Sequence, residues 1–105
     1  MNVVIHGHQT DITSALRRRA QEGVDKLSTH YKRLQSAEII FAEDGVFKSV
    51  EIIVQVPNST KLTAKSEAKY HETALSDAID KIDAQIRKLK AGEKKQIHAS
   101  VELPA

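Results

Sequence analysis

Along this chain of 105 residues the spacing of apolar side chains switches between the two-residue period of a strand and the three-to-four-residue period of a helix, so neither an all-helical nor an all-strand fold suits it. Val3, Val4 and Ile5 form a β-branched run before Gly7, which predicts a first strand of about five residues closed by a turn at the glycine. The period then lengthens. Leu16, Ala20, Gly23, Val24, Leu27 and Tyr31 recur at spacings of three and four, the stripe of an amphipathic helix. Thr13 is its expected N-cap, because a hydroxyl there accepts from a first-turn N–H that has no helical partner. Gly23 inside the helix costs about 1 kcal/mol relative to alanine, so either the helix tolerates it or something packs closely against it.

The two-residue period returns in three runs. Glu38 to Phe41 and Val46 to Val56 flank Glu43-Asp44-Gly45, whose Asp-Gly pair is a strong hairpin signal. In the second run Val50, Ile52, Val54 and Val56 alternate with Ser49, Glu51 and Gln55, so one face is buried and the other solvated, with Ile53 as the exception. Pro57 to Thr60 is turn chemistry, and Lys61 to Ala68 alternates again as a fourth strand. From about His71 to Ala91 a second apolar helical stripe runs through Leu75, Ala78, Ile79, Ile82, Ile86 and Leu89, and Gly92 is expected to stop it. Residues 93–105 are expected as a tail, either loose or forming an added edge strand through Ile97, Ala99, Val101 and Leu103. The resulting expectation is an α+β fold of order β-α-β-β-β-α: one domain over residues 1–92, a two-layer sandwich with a four-stranded sheet and both helices on one face.

Several function classes lose support on composition. No window approaches the roughly 20 apolar residues of a bilayer span, and the N-terminus lacks a basic region followed by an apolar stretch. The chain has no cysteine, which removes disulfides, thiolate nucleophiles and zinc-thiolate sites and suits a reducing, cytoplasmic setting. His6 and His8 alternate at a strand end, but without a third ligand no metal site is expected, and no cofactor or small-molecule substrate either. No phosphate loop, serine elbow or HExxH motif is present, so enzyme activity has little support. Asn58-Ser59-Thr60 matches the glycosylation acceptor but reads more simply as a turn.

The charge pattern is more informative than the net charge of +2. Residues 13–34 hold six Lys/Arg against two acids, whereas residues 35–69 hold four against five. At 100° per residue Arg19, Lys26, His30 and Arg33 share one flank of the first helical stripe, with Arg17 and Arg18 elsewhere. In the second helix Lys81, Gln85 and Lys88 share a flank, while Arg87 and Lys90 share the other with Asp80 and Asp83. If the helices lie side by side, these flanks are expected to bracket a groove that faces phosphates. The plainer reading is a solvated helix face with Glu22–Lys26 and Asp83–Arg87 pairs. Two Tyr and two Phe are too few for an aromatic stacking platform, so RNA recognition through backbone and shape fits better.

Two blocks of sequence resemble the ribosome hibernation promoting factor family, also described as ribosome-associated inhibitors and as sigma-54 modulation proteins. The first is Ile5-His6-Gly7 with Asp11 to Arg17, Lys26-Leu27 and Tyr31 to Leu34; the second is Ala78 to Lys90. The resemblance runs nearly full length. It implies a β-α-β-β-β-α fold similar to double-stranded RNA-binding domains and a ribosome-binding domain over residues 1–92. It also implies that the protein lodges on the small ribosomal subunit, contacts ribosomal RNA through basic helix residues, and blocks the messenger and transfer RNA sites when growth slows, without catalysis. Arg17, Lys26, Lys81, Arg87, Lys88 and Lys90 match basic positions of the family, and the helix geometry adds Arg19 and Arg33. Gly23, Arg19 and Ala84 depart from its pattern, as does Tyr70 to Ala74. A protein-binding transcription regulator of the sigma-54 modulation type is the alternative.

Overall fold

The computed structural model describes residues 2–58 and 60–102, with side chains described as far as residue 92. Its elements follow the expected order: β1 (Asn2–His8), α1 (Ser14–His30), β2 (Ser36–Asp44), β3 (Phe47–Val56), β4 (Thr60–Ala68) and α2 (His71–Glu102). The strands form one sheet in the order β1-β2-β3-β4, with β1 parallel to β2 and the other pairs antiparallel. Both helices cover the same face. Ala37, Ile39, Phe41, Val50, Ile52, Val54, Val56 and Ala64 meet Leu16, Ala20, Val24 and Leu27 of α1 and Ala74, Ala78, Ile82 and Ile86 of α2 in a single core. The opposite face carries Val4, His6, Glu38, Ile40, Glu51, Ile53 and Lys65, and the alternation of β2, and of β3 from Val50 onward, follows from the helices covering only one face.

Local chemistry sets the boundaries. Thr13 caps α1, its hydroxyl accepting from the Leu16 N–H at 3.1 Å, and the Tyr31 N–H closes the last turn on the Leu27 carbonyl. In the β2–β3 hairpin Asp44 pairs with Phe47, so the two loop residues are Gly45 and Val46, and Gly45 takes a positive φ of 64°. A glycine at the first central position is what a II′ turn needs. In the β3–β4 connection Asn58 sits at φ 69°, a left-handed conformation that asparagine tolerates.

Two boundaries differ from expectation. Gly7 does not close β1; the strand continues through it to His8, and the chain turns at Gln9, φ 57°. A Cβ on Gly7 would lie 2.5 Å from the Thr10 carbonyl oxygen, so this glycine serves the close return of the chain rather than the turn itself. Gly92 does not stop α2 either. The helix runs on to Glu102, which replaces the expected loose tail or edge strand over residues 93–102. A single glycine costs a helix only about 1 kcal/mol, less than the neighbouring helix formers contribute together. The fate of the side chains of Ile97, Ala99, Val101 and Leu103 lies outside the described residues, as does the backbone of 103–105.

Sheet edges need protection, and β4 is an edge. Lys81 donates to the Lys65 carbonyl at 3.1 Å and Gln85 to the Thr63 carbonyl at 2.8 Å, so α2 covers the outward backbone of β4. Replacing Lys81 and Gln85 together by alanine is expected to cost about 1–2 kcal/mol in urea unfolding. It should also make sedimentation concentration-dependent as the bared edge pairs with other copies; a monomeric, equally stable variant would show that these bonds contribute nothing.

Candidate nucleic-acid interface

The apolar stripes that bury the helices also aim their basic flanks. Gly23 lets α1 approach α2: a Cβ there would stand 2.7 Å from Ile79 Cδ1. Close packing, not mere tolerance, accounts for this glycine. Arg19, Lys26 and His30 lie on the same side of α1 as Gly23 and therefore face α2. The groove between the helices, about 200 Å³, has Arg19 and Lys26 on one wall but Glu72 and Asp80 on the other. Lys81 and Lys88 point away from it, toward β4, as the Lys81 bond to Lys65 shows. The flank of Arg19 and Lys26 and the flank of Lys81 and Lys88 therefore do not bracket one phosphate-facing groove, because α2 turns Glu72, Asp80 and Asp83 to α1 and Lys81 and Lys88 toward β4.

All eight expected RNA-binding residues are exposed. Among the described residues, no ion pair or hydrogen bond engages the side chains of Arg17, Arg19, Lys26 or Lys88, and Arg17 stands on the flank away from α2. The other four, Arg33 among them, are engaged within the fold. Lys81 caps β4, Arg87 pairs with Asp83 one turn earlier, and Lys90 donates to the His30 carbonyl at 2.8 Å. That last bond places an ammonium on the negative end of α1. Arg33 and Lys88 converge on a cavity of about 480 Å³ at the end of the sheet that holds the β3–β4 turn.

Sequence reasoning missed the joint between the helices. Asp83 is buried, and it accepts from His30 Nδ1 at 2.9 Å on one oxygen and from Arg87 on the other. The hydrogen bond from His30, helped by Arg87, holds the Asp83 carboxyl below its ordinary value of 3.8 against the opposing effect of burial. A signal existed: Asp83 sits beside Ile82 on a stripe otherwise apolar, where an acid needs a partner. Because the folded state favours the carboxylate, its contribution is complete above pH 3.8 and fades as pH falls through the lowered folded value. Asp83→Asn should therefore cost about 1–2 kcal/mol at neutral pH, with the difference from the parent shrinking below about pH 4 in acid-titrated unfolding. A difference that stayed constant with pH would assign the loss to packing.

His71, also missed, anchors the start of α2. Its ring stands edge-on to Phe41 at 5.3 Å and Nε2 bonds the Ala42 carbonyl at 2.9 Å. His6 pairs with Glu38 on the uncovered face at 2.9 Å. Among the described residues no group of three or more potential ligands could hold a metal, and no helix is long and apolar enough to cross a membrane.

The fold is a small α+β module with a one-sided helical layer that carries exposed cations, with Arg17, Arg19, Lys26 and Lys88 unpaired among the described residues. Its sequence matches the model of the family described as Sigma 54 modulation protein / S30EA ribosomal protein over residues 3–94, and the chain belongs to that family. The chain is 32% identical over 90 residues to a ribosome hibernation promoting factor of Azotobacter vinelandii, covering 86% of this chain and 83% of that one. It is 27% identical over 96 residues to one from Pseudomonas putida, with 91% of each covered. The fold is similar to a ribosomal subunit interface protein from Coxiella burnetii, at TM-score 0.81 and 23% identity over 87% of this chain and 99% of that one. It is also similar to the N-terminal domain of Protein Y from Thermus thermophilus, at TM-score 0.75 and 22% identity over 85% and 99%.

Proposed function

We propose that this protein is a ribosome hibernation factor that binds the small ribosomal subunit through its RNA and keeps messenger and transfer RNA from their sites when growth slows. Family membership supports the association with ribosomes, and the relatives named as ribosome hibernation promoting factors support the silencing role. The observation that carries the RNA contact is that Arg17, Arg19, Lys26 and Lys88 of the helical layer are exposed and unpaired among the described residues. Such cations suit phosphates more than bases, so recognition rests on shape and backbone. The ribosome-binding unit is residues 1–92, and inhibition is steric, with no bond made or broken. Arg33, Lys81, Arg87 and Lys90 complete the surface, the last three exchanging internal partners for phosphates on binding.

Sedimentation of the protein with isolated small subunits tests this, with and without messenger and transfer RNA. Co-sedimentation that those RNAs displace is expected. No binding even at low salt would sink the proposal and favour the protein-binding regulator.

A further inference from the structure

The cavity of about 480 Å³ at the β3–β4 end of the sheet is concave and mixed in character and, unlike the groove between the helices, has no acidic residue in its lining among the described residues. Arg33, from the segment after α1, and Lys88, from α2, both line it; Pro57 and Leu89 give it apolar wall; Asn58 and Thr60 add polar groups from the turn. Gly92 lines it without filling it, since a Cβ there would meet nothing within 4 Å. A guanidinium fork and an ammonium together suit a phosphate. An apolar wall beside them suits the face of a ring, and the volume is that of a small-molecule site, roughly 300–1,000 Å³. Paired RNA presents only its convex backbone, so a concave site of this size admits a base only when that base is unpaired.

Resting on the RNA-binding reading above, we propose that this cavity receives one unpaired nucleotide of the bound RNA, its phosphate between Arg33 and Lys88 and its base against Pro57 and Leu89. The site gives the domain one point of single-strand recognition on a surface that otherwise follows backbone, and it fixes where along the RNA the domain stops. Its ligand class is a nucleoside monophosphate unit, not free phosphate, because phosphate alone leaves the apolar wall uncovered.

The test uses uridine 5′-monophosphate and inorganic phosphate as separate probes, followed by backbone amide NMR of the intact protein. The nucleotide should perturb Asn58, Thr60, Leu89 and Gly92 as a group, and phosphate alone should perturb them less. Gly92→Leu places a side chain in the open space and favours the helix, so the variant should fold. It should abolish the nucleotide response and weaken small-subunit binding about tenfold, the loss of one stacked base. Nucleotide perturbations absent or spread along α1 would overturn the cavity assignment, while co-sedimentation of the parent protein would still uphold RNA binding. Unchanged subunit binding by Gly92→Leu would also overturn it, leaving a free-nucleotide site. Failure of the parent to bind subunits at all defeats the wider reading and this one with it.

Discussion

Raising salt from about 50 to about 200 mM should weaken the complex with small ribosomal subunits by about 10² if only Arg17, Arg19, Lys26 and Lys88 touch phosphates, and by about 10³–10⁴ if all eight basic residues do. The corresponding log–log slopes are about −3 and about −6, at 0.7 to 0.9 per phosphate neutralised. The distinction is structural, since Lys81, Arg87 and Lys90 must leave the Lys65 carbonyl, Asp83 and the His30 carbonyl before they can serve RNA in full. Reversing Lys26 and Lys88 to glutamate should each shift the slope by about one, from opposite sides of the helical layer. Reversal of Lys81 should do this and also loosen β4. If binding survives all three reversals together, the basic surface assigned here is wrong; a slope near zero would point to an apolar protein interface.

Phe41→Ala is expected to cost about 3–5 kcal/mol, a large part of the roughly 5–15 kcal/mol that holds a domain of this size. Phe41 is fully buried at the centre of the sheet's covered face, and its ring is the surface against which His71 seats the first turn of α2. Truncation removes buried area, opens a cavity, and deprives His71 of the edge contact while its bond to Ala42 persists. Urea unfolding should show a lower midpoint with an unchanged slope, the sign of lost stability in an otherwise similar fold. A loss under about 1 kcal/mol would mean that the core collapses around the gap, and α2 would then be held by its side-chain bonds to β4 rather than by the core.

The fold was largely legible because each element declares its period and its cap. Leu16 to Tyr31 gave α1, Thr13 its start, and the alternation through Val56 gave β3. Glycines were read less well, because one residue type answers several needs: Gly45 makes a turn, Gly7 permits a close return and Gly23 admits Ile79, while Gly92 sits in a helix that continues past it. Candidate residues were legible as a set of cations on helix flanks, but which of them stand unpaired was not. The Asp83–Arg87 pair within α2 was legible, but partners such as Asp83 for His30, or Lys65 for Lys81, depend on how one element lies on another.

The sequence alone therefore determined the order of elements, the buried stripe of each and the family, because periodicity, capping and turn chemistry act over a few residues and need no distant partner. Only the tertiary structure decided that the basic flanks of α1 and α2 face different ways, that half of the eight cations already have internal partners while Arg33 and Lys88 meet at a cavity, and that Asp83 joins the helices. Those outcomes follow from helix rotation and crossing, which are set by packing at Gly23 and Ile79 across residues far apart in the chain.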